Sequence, residues 1–476
     1  MSTRVRFRGR QAAGALAAAA VVAVALAAAP PPPIVIGAVF PLSGTAAPLA
    51  GETLRGVQLA ADMVNAQGGI DGRRIVLDVQ DLESAADAPA AMARIRATGA
   101  FVVIGAYSSD LSVPASEAAS ADGLVYWEAG AVADQLTGRG LPLVFRVGAS
   151  GANLGTNSGS FAVQELAPRL GRTAATLRVA IVAAQDDYAR SVADAAARTV
   201  TEAGSQIVGR MDYPLLAPQF DLLMPSIAAL HPDVLILASH IPDGVAFRQA
   251  MVAAGLHIGA FIGTTMAECD PEFARALGPD VVGVFASDRP VGGFRPDALD
   301  AGARAVYDKF AALWAQSPES KRQADSGANA ALGWGRSWTS GAAAGTSWAW
   351  TGTGATGGAS ASAEPVTGPA STMAWNGPTE EGLSGFTAAW ALFHDVLPKA
   401  ARLDAGAVGD AARSLDLPVG SLPNGAGLQF SADPATLGQN TRAAAVIWQW
   451  QAIRHYTYVW PSTYATGQIA DVPLTR

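Results

Sequence analysis

Short, fully apolar blocks recur along this chain, and between them apolar residues fall at helical spacing. Ile34 to Phe40 is the first such block and predicts a strand. Leu54, Val57, Ala60, Ala61 and Val64 then mark one face of a helix over 52–65. Asn65 to Gly72, with three glycines, reads as a helix end and a tight turn. Arg74 to Gln80 alternates as a strand, 87–98 is helical, and Phe101 to Ile104 predicts a buried parallel strand. A helix over 111–121 follows, with Pro114 in its first turn, then a strand over 124–127 and a loop over 128–137. Regular alternation of strand and helix predicts a parallel sheet with helices on both faces.

The pattern restarts after Val144 to Gly148. Helices are expected over 152–170, 188–203, 220–230 and 245–254. Strands are expected over 177–184, 205–213, 234–238, 261–263 and 281–286. These make a second α/β unit of similar size. From about Ser326 to Gly377 the character changes to Gly, Ser, Ala and Thr, with Trp334, Trp338, Trp348, Trp350 and Trp375 among them. Two readings stand: a surface insertion without a core of its own, or a loop whose tryptophans pack on a cleft rim or on carbohydrate. Helices resume over 383–397 and 404–415, and 425–430, 443–451 and 456–460 read as strands.

Composition sharpens this picture in three places. Arg4, Arg6, Arg8 and Arg10 precede an uncharged run from Ala12 to Ala29, which ends in small residues before four prolines. That is the layout of a cleaved secretory signal, with an uncleaved anchor as the competing reading. Residues 1–29 carry four arginines and no acid, so the remainder holds 28 basic and 40 acidic residues, a net charge of −12. No basic patch argues for nucleic acid. The single cysteine, Cys269, cannot form an internal disulfide.

Catalytic signatures are mostly missing. There is no Gly-x-Ser-x-Gly elbow, no phosphate-binding P-loop and no dinucleotide fingerprint at the first strand. The five histidines lie far apart and show no metal-ligand spacing, so no metal and no cofactor are expected. The pairs Glu380/Glu381 and Asp186/Asp187 read as solvated loop acids. The turn from Gly105 to Ser109 is more suggestive. A strand that ends in small hydroxyl residues before a helix leaves free backbone N–H groups, which favour an anion. Equally, Ser108, Ser109 or Asp110 could serve only as the helix cap.

Taken in order, the motifs resemble the substrate-binding proteins of branched-chain amino-acid ABC transporters, the type I periplasmic binding fold. The resemblance runs from about Ile34 to Pro461. It rests on Ile36–Gly44, Gly56–Ala61, Asn65–Gly72, Val103–Gly105, Pro114–Ser116, Leu136–Thr137, Val179–Val182, Asp187–Tyr188, Pro232–Asp233, Phe247–Ala250, Ala254–Gly255 and Val459–Pro461. It implies an α/β fold of two doubly wound parallel-sheet lobes joined by three hinge crossings, near 145–148, 285–289 and 420–430. The implied division is 1–29 as signal peptide; 30–147 with 286–420 as the first lobe, carrying 326–377 as an insertion; and 148–285 with 421–476 as the second.

The resemblance also implies ligand contacts. Ser109, with Ser108 beside it, matches the serine that binds a ligand carboxylate. The loop after the fourth strand contributes Gly130 and Ala131, while Val132 replaces an expected threonine. Tyr188 matches a second-lobe tyrosine, and His240 falls where an aromatic is expected. The acid that would meet a ligand amine falls near Thr265, where this chain has none; Glu268 is displaced from that place. Glu128 is a candidate replacement or a plain surface acid. Tyr188 and His240 have bland readings too, as a core tyrosine at a helix start and as a helix cap. The implied function is an exported, non-enzymatic component of an ABC importer. It would capture an amino acid, amide or related small polar solute and present it to a membrane permease, in the periplasm or at the cell surface. A ligand sensor of the same fold is the alternative, and an enzyme using the cleft is a third.

Overall fold

The computed structural model describes residues 31–44, 46–321, 377–453 and 455–474. The expected signal segment and the tryptophans of the Gly/Ser-rich segment lie outside the described residues. Two sheets organise the chain. The first holds β1 (Ile34–Phe40), β2 (Ile75–Asp81), β3 (Val102–Gly105), β4 (Val125–Glu128) and β5 (Val144–Arg146), in the order β2-β1-β3-β4-β5 and all parallel. Three right-sized helices connect them: α1 (Ala47–Ala66), α2 (Ala88–Ala97) and α3 (Ser109–Ala121). The strands β3 and β4 are buried along their whole length, which is why their sequences carry no polar alternation.

The second sheet runs β12-β11-β10-β9-β8-β6-β7. Its parallel part comprises β6 (Arg178–Ala184), β7 (Gln206–Tyr213), β8 (Val234–Ala238), β9 (Ala260–Thr264) and β10 (Phe285–Asp288). β11 (Val446–Ala452) and β12 (His455–Trp460) join it antiparallel, so the sheet is mixed rather than purely parallel. Around it lie α4 (Gly151–Phe161), α5 (Asp187–Glu202), α6 (Phe220–Ala229), α7 (Ile241–Ala253) and α8 (Pro271–Leu277). Helices α9 (Ala301–Trp314), α10 (Glu380–Trp390) and α11 (Ala405–Arg413) follow in the later part of the described chain.

Several boundaries differ from the sequence reading. α3 begins at Ser109, so Pro114 lies inside the helix and not in its first turn. α7 begins four residues early, because His240 and Asp243 form a reciprocal cap that periodicity does not reveal. Residues 281–284 precede β10 as a tight turn and are not part of a strand. The stretch 425–430 forms only isolated bridges. Its Phe430 packs edge-on against Trp127 and Phe145, inside the core of the first sheet. The chain returns to the second sheet only at Val446, and Gln439 and Asn440 bond to the crossing at Arg146–Gly148.

Candidate functional site

In open parallel sheets, loops at the carboxyl ends of strands line the ligand crevice. Here the loops after β3 and β4 are tied together. Ser109 Oγ accepts from the Ala133 N–H at 3.1 Å. Gly130 lies so close to Tyr107 that an added Cβ would sit 2.7 Å from its Cα, so only glycine fits. Tyr107 itself has a left-handed backbone, φ 82°. Ser108 is the half-buried N-cap residue of α3, and its side chain makes no capping bond. Asp110 is exposed in the first turn.

Glu128 is not the surface acid of one reading, and its Oε2 has no hydrogen-bond partner among the described residues. Its side chain is fully buried, and Oε1 accepts from the N–H groups of Ala129, Gly130 and Ala131 at 3.0, 2.6 and 2.7 Å. Burial pushes its carboxyl up, opposed by the hydrogen bonds it accepts and by the Arg146 charge. A buried acid at a strand end thus builds the loop that sequence reading gave to the ligand. Arg146, also buried, braces the same loop through the Ala133 carbonyl at 2.7 Å.

The second sheet offers a matching set. Asp186, after β6, caps α5 by accepting from the Ala189 N–H at 2.8 Å. Its other oxygen meets His240 Nε2 at 2.7 Å, bridging the ends of β6 and β8. The Tyr188 ring lies 4.9 Å from the His240 ring. The Tyr188 hydroxyl reaches the Ser239 carbonyl at 3.0 Å and Thr265 Oγ1 at 2.8 Å. Thr265 is buried and left-handed, φ 63°, and its N–H donates to the Ser287 carbonyl at 2.8 Å. Burial opposes a charge on His240, but the hydrogen bond and charge of Asp186 outweigh it and raise the imidazole pKa. Asp110, across from it on the first sheet's side, adds to that field.

Between the two sets lies a cluster that sequence reading missed. Arg289, directly after β10, is buried. Its Nη1 donates to the Gly130 carbonyl at 2.6 Å, and its Nε and Nη2 face Glu380 at 2.6 and 3.0 Å. Asp288 lies 3.8 Å away and accepts from the Met266 N–H. Glu380 and Glu381, read as solvated loop acids, are instead buried in the first turn of α10. Every residue of α10 is buried, so its acids had no exposed face to occupy. The Cys269 thiol donates to the Met266 carbonyl at 2.9 Å. Burial opposes the charge on Arg289, yet Glu380 and Asp288 more than compensate and raise its pKa.

Glu268, after β9, is fully buried above Gly263 and beside Gly244. Neither carboxylate oxygen has a hydrogen-bond partner in another described residue. Ser239 Oγ is also unpartnered, and both it and Glu268 Oε1 crowd the point where a Cβ of Gly244 would stand, at 2.5 and 3.3 Å. Burial, and then the charges of Asp243 and Asp288, push the Glu268 carboxyl well up. Sequence spacing hinted at Glu268 only as an acid displaced from its expected place. Among the described residues no three His, Cys, Asp or Glu side chains are grouped to hold a metal ion.

The comparisons agree with this geometry. Residues 33–337 match the model of a periplasmic binding protein family. The chain is 33% identical over 257 residues to Leu/Ile/Val-binding protein homolog 8 of Brucella abortus. That match covers 54% of this chain and 64% of the relative, so just under two thirds of the curated protein's length is spanned. A branched-chain amino acid transporter substrate-binding protein of Streptococcus pneumoniae, solved with isoleucine, superposes with a TM-score of 0.63 at 17% identity, covering 90% of this chain and 100% of that one. A solute-binding protein of an R. palustris ABC transporter, solved with benzoate, gives 0.61 at 18% identity, covering 93% and 100%. Two sheets whose strand-end loops face one another, and a family match over more than half its length, place the chain in the periplasmic binding protein family with the type I fold of branched-chain amino-acid-type substrate-binding proteins.

Proposed function

We propose that this chain is the extracytoplasmic solute-binding component of an ABC importer. It captures an amino acid, an amide or a related small polar solute between its two sheets and delivers it to a membrane permease. The observation that carries this reading is Glu268, a buried carboxylate with no partner among the described residues, at strand ends where loops from both sheets converge. A buried acceptor of this kind is costly unless a donor meets it. An amino or amide N–H of a solute supplies that donor. Tyr188, Thr265 and His240 hold one wall; Ser108, Ser109 and the Gly130–Ala131 turn hold the other. The site's charged groups are matched by internal partners or await a solute, which suits capture of a solute in this reading.

The test is a thermal-shift panel of amino acids, amides, polyamines and small acids. A solute that binds only the folded state raises the midpoint with the logarithm of its concentration. A shift from an amino or amide solute that Glu268→Gln reduces supports the proposal. A panel without any shift overturns it.

A further inference from the structure

A chain of internal bonds joins the two loops proposed to hold the solute. It runs through two consecutive buried residues, Asp288 and Arg289, where the chain leaves β10. On the second sheet's side, the Thr265 N–H donates to the Ser287 carbonyl at 2.8 Å, and Asp288 Oδ2 accepts from the Met266 N–H at 3.2 Å. Asp288 Oδ1 accepts from the Arg289 N–H at 2.7 Å. On the first sheet's side, Arg289 Nη1 donates to the Gly130 carbonyl at 2.6 Å. Glu128 Oε1 already holds the Gly130 N–H, so both polar groups of Gly130 are fixed. Through the close approach of Gly130 to Tyr107, and through the Ala133–Ser109 bond, that grip extends to the start of α3. Arg289 is itself clamped by Glu380, which faces its Nε at 2.6 Å and its Nη2 at 3.0 Å. It also packs on the connection from β5 to α4, where a Cβ on Gly148 would lie 3.4 Å from Arg289 Cδ. The Gly148 carbonyl in turn accepts from Gln439 Nε2 at 3.0 Å. A planar guanidinium reaches several acceptors in fixed directions, which a point-like ammonium does not.

We infer that Arg289 is a positioning residue: with Asp288 it locks the Gly130–Ala131 turn of the first sheet to the Thr265–Met266 turn of the second, so that ordering one orders the other. The step from Asp288 to Arg289 lies in one of the connections between the sheets. The two turns are therefore coupled through the chain itself and not only through a bound solute. The inference rests on the solute-binding reading for its purpose alone; the coupling belongs to the unliganded chain and is tested there. A solute that settles against Thr265 then finds Gly130 already in place, and less ordering cost remains to be met on binding.

The experiment is native-state amide hydrogen exchange on the full chain without any solute, for the natural chain, Arg289→Lys and Asp288→Ala. Each variant is read at the loop its own side chain does not touch, where a merely local packing role has no effect. Arg289→Lys keeps the positive charge beside Glu380 and loses the fork. It speeds exchange of the Thr265 and Met266 amides by about tenfold, the worth of one charge-assisted hydrogen bond. Asp288→Ala speeds exchange at Ala129, Gly130 and Ala131 by a similar factor. Asp288→Asn, of nearly the same volume, takes its place if Asp288→Ala does not fold. The amides of β8 keep their natural protection, which separates loosened loops from global unfolding; equal quickening in β8 counts against the coupling. Exchange that quickens only in the loop each residue touches overturns the inference and leaves solute binding intact. So does full protection of Thr265 and Met266 in Arg289→Lys, since charge alone then suffices. The solute-binding reading stands or falls separately, on the thermal-shift panel with the natural chain.

Discussion

At the residue scale, internal hydrogen bonding decides which polar groups face a solute. Glu128 illustrates the rule: three N–H groups of its own loop consume one oxygen. Glu128→Gln keeps that acceptor and is expected to change stability by less than about 1 kcal/mol, whereas Glu128→Ala strands three buried donors and costs about 3 kcal/mol or more. Denaturant unfolding of the two variants checks the contrast. Ser109 has a double duty, because its Oγ supports the Ala133 N–H. Ser109→Ala is expected to lose about 1 kcal/mol of stability and to weaken solute binding; unchanged affinity for a solute found in the panel removes Ser109 from the site.

The Asp186–His240 pair carries a pH signature. The folded-state pKa of His240 is raised, so its contribution is fully present below the free value and is lost as pH rises through the folded one. Burial opposes the charge on Asp186, but the His240 hydrogen bond outweighs it and lowers its pKa. That contribution is present above the ordinary carboxylate range and is lost as pH falls through the lowered value. Glu381, raised by burial and by Glu380, also loses stability for the fold as pH rises. The difference between natural chain and His240→Gln therefore isolates the imidazole: it is largest below the free imidazole value and shrinks as pH rises above it. A pH-independent difference counts against the charged pair.

At the element scale, glycines set how closely helices approach. A Cβ on Gly385 of α10 would meet the Thr53 carbonyl of α1 at 2.1 Å, and one on Gly56 would meet the Gly382 carbonyl at 2.2 Å. This contact carries Glu380 and Glu381 into the centre of the molecule. Gly385→Val is expected to cost on the order of 3 kcal/mol through overpacking, and to weaken solute binding by displacing the acids. Calorimetric unfolding with a binding isotherm tests both halves; a variant with natural stability would refute the packing claim. The sequence marked α10 by its apolar face from Leu383, yet its first turn was read as solvated. Periodicity reports which face is apolar, but not whether the polar face also meets a neighbour. Helix α8 escaped notice because it is short and its signal is the cap Asp270, whereas α9 was overlooked although Ala303, Val306, Tyr307, Phe310, Leu313 and Trp314 keep helical spacing behind the cap Asp300.

At the scale of the whole molecule, three connections join the sheets: β5 to α4, β10 toward α9, and residues 440–445 into β11. Closure about them is the motion the proposed function needs. A saturating solute is expected to lower the radius of gyration in small-angle scattering; an unchanged profile with proven binding excludes hinge closure on that solute.

The sequence alone determined the central strands, because buried parallel strands are apolar: β3 and β8 are so throughout, and β4 up to its terminal Glu128. It also determined the order of units and the turn motifs of the family, which depend on residues near one another in the chain. It placed Tyr188 and His240 at strand ends, where the structure finds them bonded through Asp186 and Thr265. Only the tertiary structure decided what each acid does. Glu128 turned inward to its own loop, Glu380 met an arginine 91 residues away, and Glu268 was left without a partner among the described residues. The free energy of a buried carboxylate depends on distant donors and charges, and no local pattern in the chain encodes their distance.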